Sequence, residues 1–187
     1  VLASDKALYV GHAIAAIAAS SAHAAEEALE LIEVVYEPLP SVTDVESAMK
    51  PNAPILHEHI KTDGLGKGQQ TGTNIANHYE FVLGDIETGF SQADVIVDQE
   101  YQTKTVHQGY IEPQNGTAWW TADGNLTVWC SSQGHFGIRD TLSKIIGISV
   151  SRIKVVPMEI GGGFGGKLSC YLEPLAAILS QKSGSPV

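Results

Sequence analysis

The chain has 187 residues, 43% hydrophobic and 17% charged, with a mean hydropathy of +0.01, enough for one full domain or two small ones of ordinary globular composition. Eleven basic against 21 acidic residues leave a formal charge of −10, which argues against nucleic acid as a partner, since phosphate neutralisation needs clustered Lys and Arg. No apolar run approaches the ~20 residues of a membrane span, and Cys130 and Cys170 are too few for a disulfide framework, a four-cysteine zinc site or an iron–sulfur cluster.

In chain order, Tyr9–Ala19 reads as a buried strand or a short helix. A helix over Ser21–Leu31 follows, capped by Ser21, with Ala24, Ala25, Ala28, Leu29 and Leu31 at helical spacing. Ile32–Tyr36 is a short strand, stopped by Glu37-Pro-Leu-Pro40. Residues 61–73, glycine-rich and almost without apolar side chains, form the linker candidate. Strands are then expected over Asn74–Leu83, Val95–Val106, Thr117–Thr121 and Leu126–Cys130, the last two joined by a hairpin turn at Ala122-Asp-Gly-Asn125. A helix over 136–146, a strand over Arg152–Val156, a glycine run and a helix over Glu173–Gln181 complete the chain. The division predicted is 1–60, 61–73 and 74–187. A start at Val1 and an end at Ser183-Gly-Ser-Pro-Val187 lead us to expect a segment of something longer. No secretory leader pattern opens the chain, so the expected location is cytoplasmic.

The unusual motif is Gly161-Gly-Gly-Phe-Gly-Gly-Lys167, between a strand and a helix. Glycines there allow backbone angles and close approaches that side chains forbid, and successive free N–H groups make a nest for an anion. Gly161, Gly163 and Gly166 satisfy the dinucleotide pattern, but no acidic residue lies at the distance that would hold a ribose. Gly161 to Lys167 also satisfies most of a nucleotide-binding P-loop, yet Leu168 stands where a Ser or Thr must hold Mg²⁺. His57 and His59 form a His-x-His pair with no third metal ligand in sight, so no metal-ligating residue is assigned to the chain. No Ser-His-Asp or Cys-His nucleophile signature is present.

A third reading comes from resemblance. Ser132-Gln-Gly-His-Phe136 followed by Gly161-Gly-Gly-Phe-Gly-Gly-Lys167 resembles the molybdopterin-binding subunit of the xanthine dehydrogenase/aldehyde oxidase family, which includes aerobic carbon monoxide dehydrogenase. Tyr9-Val-Gly-His12, Ala25-Glu-Glu-Ala28 and Val35-Tyr-Glu-Pro-Leu-Pro40 resemble the α/β hammerhead domain of that family. Gly84-Asp85, Gln92-Ala-Asp94 and His107-Gln-Gly-Tyr-Ile-Glu-Pro113 resemble the beginning of its first molybdopterin-binding domain. The implied fold is α+β: a partial hammerhead domain, then the first part of a molybdopterin-binding domain with mixed sheets and flanking helices.

The resemblance implies a molybdenum–molybdopterin cofactor that hydroxylates a small molecule with oxygen from water, electrons leaving through iron–sulfur clusters to FAD on other domains or subunits. It implies that Gln133 hydrogen-bonds an oxygen ligand of molybdenum, and that Phe164 helps to shape the substrate pocket. Gly134, Gly163 and Gly165 join Gln133 and Phe164 as cofactor-binding candidates. Lys167 is expected either to neutralise phosphate or to be solvated, and Tyr110 and Glu112 to pack at a strand start. Xanthine-type members carry a glutamate after the lysine that holds the heterocycle; Leu168 stands there, which counts against a purine gripped in that way. The general base of the family is expected beyond Val187. Expected partners are the remainder of the large subunit, the iron–sulfur and FAD components, and further copies in an oligomer. The rivals are a P-loop-like nucleotide-binding protein and a non-catalytic remnant module.

Overall fold

Along Leu126–Cys130 burial alternates strictly, with Leu126, Val128 and Cys130 turned inward, the period-two pattern of a strand with one face on a core. That strand is the middle of the main sheet. The computed structural model describes residues 1–62 and 70–187. Its elements are α1 (Ala22–Glu30), α2 (Val45–Ala48), β1 (Lys61–Thr62), β2 (Gln70–Thr71), α3 (Ile86–Gln92), β3 (Gly116–Trp120), β4 (Leu126–Cys130), α4 (His135–Ile146), β5 (Ile153–Pro157) and α5 (Glu173–Ser183). They fall into two units, Val1–Glu33 with Lys104–Val187, and Val34–Thr103.

In the first unit β3, β4 and β5 form a mixed sheet in that order. β3 runs antiparallel to β4, from Gly116 opposite Cys130 to Trp120 opposite Leu126. The hairpin is closed at Gly124, whose φ of 82° is the positive value such a turn requires. β5 runs parallel to β4, with Leu126 beside Ile153 and Cys130 beside Pro157. A parallel pair needs a crossover, and α4 supplies it before ending at Gly147 in the left-handed conformation. α5 packs on β3 and α4 on β5. Between them lie Ala118, Leu126, Val128, Cys130, Ile138, Leu142, Ile153, Ala176 and Ala177. Helix α1 begins at Ser21, whose hydroxyl caps Ala24 N–H as expected.

The second unit is pinned by Asn74. Its side-chain amide donates to Ala48 O and Pro54 O at 3.0 and 2.9 Å and accepts from Leu56 N at 3.0 Å. β1 and β2 pair antiparallel, Lys61 opposite Thr71. The linker candidate 61–73 lies within this unit, and its middle, 63–69, lies outside the described residues.

The strands expected over 32–36, 74–83 and 95–106 carry no ladder among the described residues, and Tyr79, Phe81, Val95 and Val97 stand exposed along them. Alternation tells which face of a strand is apolar, but a ladder is a property of two segments. Tyr9–Ala19 likewise forms neither strand nor helix. Helix α3, capped by Asp85 accepting from Thr88 N, was not anticipated.

Because Leu142 is fully buried between α4 and the sheet, Leu142→Ala is expected to cost about 2–5 kcal/mol. Urea unfolding should show the midpoint falling with an unchanged slope.

Candidate functional site

Strand direction brings the motifs together. β4 and β5 are parallel, so both run out at the same sheet edge, where Cys130 lies beside Pro157 and accepts from Met158 N–H at 3.2 Å. Ser132-Gln133-Gly134 follows β4 there, and the glycine run follows β5. β3 is antiparallel to β4, so its starting end, Gly116 opposite Cys130, reaches the same edge and delivers the 108–115 segment. Loops at the carboxyl ends of parallel strands are where open α/β sheets bind ligands.

At the turn of the glycine run, Gly166 N–H donates to Gly163 O at 2.7 Å. Phe164 and Gly165 sit between them at φ 48° and 88°, both positive as in a type I′ turn. Phe164 is the one non-glycine residue at positive φ among the described residues, and a bulky side chain persists there only when its surroundings impose it. The turn is held by Gln133, whose Oε1 accepts from Gly165 N at 3.0 Å and from Lys167 N at 3.2 Å. The contact is close: a Cβ at Gly163 would fall 2.6 Å from that Oε1. Gln133 N–H in turn donates to Lys167 O at 2.9 Å, and Ser132 Oγ donates to the same carbonyl at 3.1 Å.

Two backbone donors on one side-chain oxygen settle which end of the Gln133 amide is which. Its N–H₂ group is therefore left as an exposed donor, with no partner among the described residues. Gln133 and Gly134 also line a groove of about 580 Å³ with His135, Phe136, Arg139 and Lys154. Gly134 is the N-cap of α4, and its N–H is taken by Ser132 Oγ.

Lys167 corrects the expectation for it. Its side chain is neither solvated nor aimed at a ligand: the residue is 1% exposed, and Nζ lies 2.5 Å from Glu112 Oε2, 3.4 Å from Ser131 Oγ and 5.0 Å from the centre of the Tyr110 ring. Glu112 Oε2 also accepts Gly161 N–H at 2.7 Å, and Asn115 donates to Glu112 Oε1 at 3.1 Å. Glu112 is thus an ion-pair partner rather than a strand-start packing residue. Gln114 Nε2 adds a bond to Gly166 O at 2.8 Å. The nest expected along the run is largely filled from within, since Gly161, Gly165, Gly166 and Lys167 N–H groups all have acceptors in the chain. Those of Gly162, Gly163 and Phe164 have none among the described residues.

Residues 68–187 match the family model for the molybdopterin cofactor-binding domain. The chain belongs to that family. Residues 1–40 match the model for the aldehyde oxidase and xanthine dehydrogenase a/b hammerhead domain. The chain is 38% identical over its whole length to a probable xanthine dehydrogenase subunit of Bacillus subtilis, spanning 23% of that protein. It is 30% identical, again over its whole length, to the nicotinate dehydrogenase large molybdopterin subunit of Eubacterium barkeri, spanning 41% of it. Among solved structures, the Cu,Mo-CO dehydrogenase in its carbon monoxide reduced state superposes with a TM-score of 0.71 at 35% identity, over 89% of this chain and 21% of that one. The chain therefore spans about a fifth to two-fifths of the curated relatives it matches.

For a molybdopterin domain the donor set fits. Molybdopterin and its metal present oxygen acceptors, and this edge offers a fixed amide N–H₂, unengaged backbone N–H groups and an exposed aromatic ring, Phe164, 72% accessible. The edge gathers Gln133, Gly134, Gly163, Phe164 and Gly165, the residues singled out by sequence. Nothing supports the nucleotide-loop alternative, because the Lys167 ammonium it depends on is buried against Glu112. The His57–His59 pair gathers no third ligand among the described residues. Cys130 and Cys170 are free thiols, and burial, with the Glu173 carboxylate, pushes Cys130 up to about 12.

Sequence reasoning missed the Glu112–Lys167 pair, because residues 55 apart leave no local spacing to find. The Lys167 ammonium first, then Gly161 N–H and Asn115, holds the Glu112 carboxyl down from 4.5 to about 2. A folded value below the unfolded one gives stability that is complete above pH 4.5 and lost as pH falls towards 2. Acid titration of folding should therefore show a steeper loss across that window for the native protein than for Glu112→Gln, which has no carboxyl to protonate.

Proposed function

We propose that this chain is the part of a molybdenum hydroxylase that presents Gln133 and the Phe164 turn to molybdopterin. The whole enzyme would oxidise a small-molecule substrate with oxygen drawn from water, passing electrons to iron–sulfur clusters and FAD carried by its other domains or subunits. The observation that carries this reading is the Gln133 amide, its carbonyl held by Gly165 and Lys167 N–H and its N–H₂ left to donate.

When bound, molybdopterin supplies the metal-centred redox and oxygen-transfer chemistry. This chain's share is orientation and donation. A neutral amide hydrogen-bonds an oxygen ligand without adding charge, and partners of that kind orient and tune a metal's ligands. Phe164 stands out from a rigid turn and serves as a wall of the substrate pocket. Leu168, 58% exposed just after the loop, offers no hydrogen bond, which supports a substrate not gripped there through a polar heteroatom. Relatives named for xanthine and for nicotinate both match over the whole of this chain, which supports assigning cofactor handling to this segment and substrate choice to other parts of the enzyme. In the domain division of this reading, 1–60 is hammerhead, 61–73 links, and 74–187 begins the cofactor domain. The location is cytoplasmic, and two free thiols support a reducing compartment. The assembly is an oligomer with iron–sulfur and FAD components.

Gln133→Ala and Gln133→Glu in the full-length protein test the reading. The glutamate can still accept both backbone N–H groups, but it donates nothing and brings negative charge. Both variants should retain molybdenum by elemental analysis and lose roughly 10–100-fold in kcat. Activity within twofold of native in both would overturn the assignment.

A further inference from the structure

We infer that Glu112 and Lys167 form a clasp that sets the aim of Gln133, making them positioning residues for the amide that faces molybdopterin. This rests on the reading of Gln133 above and deepens it.

The argument is one of connectivity. Lys167 touches Gln133 twice through its backbone, accepting Gln133 N–H at 2.9 Å and donating its own N–H to Gln133 Oε1 at 3.2 Å. Wherever the Lys167 backbone goes, both ends of Gln133 follow. The Lys167 side chain runs the opposite way, into the protein, and ends on Glu112 Oε2 and Ser131 Oγ above the Tyr110 ring. An ammonium this deeply buried is stable only against its counter-charge. Its position along the loop is therefore set by where Glu112 stands.

Glu112 grips the other end of the same loop. Oε2 accepts Gly161 N–H at 2.7 Å, and Glu112 N–H donates to Gly161 O at 3.3 Å. One carboxylate oxygen thus ties the first residue of the run to the last. The Phe164–Gly165 turn is held between those two anchors. Space confirms the tightness, since a Cβ at Gly161 would come within 2.5 Å of Glu112 Cβ. Glu112 is itself oriented by Asn115. Nothing in the clasp reaches Gln133 through its donor end, so the pair acts on aim and leaves donation to the amide.

The test uses the full-length protein and the double variant Glu112→Gln/Lys167→Met, which removes both charges together and strands neither. Replacing a buried pair as a unit is commonly tolerated. With the clasp gone, the amides of Gly165 and Lys167 should exchange with deuterium about tenfold faster or more, reporting loss of the bonds to Gln133 Oε1. In molybdenum-loaded protein, the Mo(V) electron paramagnetic resonance signal should shift, and kcat should fall about tenfold or more with KM within about threefold. Added to Gln133→Ala, the double variant should cause no further loss in kcat. Unchanged exchange and an unchanged Mo(V) signal in the folded double variant would overturn the clasp. Glu112→Asp, which keeps both charges but shortens the reach by one methylene, covers a failure of the double variant to fold. It should move exchange and signal in the same direction by a smaller amount, and no movement in either would equally overturn the proposal. The Gln133 reading fails separately: it falls if Gln133→Ala leaves kcat and the Mo(V) signal as they were, whatever the exchange data show.

Discussion

A lysine ammonium taken almost wholly out of water has to meet an anion, and that requirement organises the sheet edge. Lys167 finds Glu112 at 2.5 Å because three strand ends converge there. The parallel pair β4 and β5 puts the Gln133 segment and the glycine run side by side, and the antiparallel β3 returns the 108–115 segment to the same place. A register slip of one residue in either pairing would turn the side chains of a strand to the opposite face and part the carboxylate from the ammonium. The core and the clasp thus depend on one set of strand pairings, and the buried faces of Ala118, Val128 and Ile153 hold in register what the ion pair needs.

The glycines follow from the same constraint. Anion nests and close ligand approach are the usual reasons for a glycine run, and both were expected from the sequence. The structure adds a reason internal to the chain. At Gly163 the space a side chain would occupy holds Gln133 Oε1, which could yield only by giving up its two N–H donors. Phe164 tolerates its positive φ because the turn around it is tied at both ends, so the ring is offered outward from a backbone that the protein has already paid to order.

Legibility divided by whether a feature is local. Ser21 capping α1, the Asp123-Gly124 hairpin and helices α4 and α5 are set by residues within a turn or two of each other, and they stand where their patterns placed them. The expected strands over 74–83 and 95–106 failed because alternation describes one segment and a ladder takes two. The Gln133 and Phe164 motifs were recognisable through resemblance, yet their contact was not. Glu112 reads from sequence as a strand-start packing residue because an ion pair across 55 residues is visible only once the sheet has folded, and Lys167 reads as phosphate-facing or solvated for the same reason, a loop lysine being solvated until a partner draws it in.

The clasp also explains what kind of group faces outward. Glu112 and Lys167 answer each other's charge within the protein, so the loop they hold carries no net charge from them to the exposed side. What remains there is dipolar: the Gln133 N–H₂ group, the N–H groups of Gly162, Gly163 and Phe164, and a ring. An exposed lysine at the end of this loop would have drawn any anion, whereas fixed neutral donors favour an oxygen at one position and orientation. Electrostatic stabilisation of this kind depends on donors that need not reorganise when the ligand arrives. Burying the lysine against Glu112 therefore leaves the Phe164–Gly165 turn itself uncharged, and the cationic groups at this edge are Arg139 and Lys154 in the neighbouring groove.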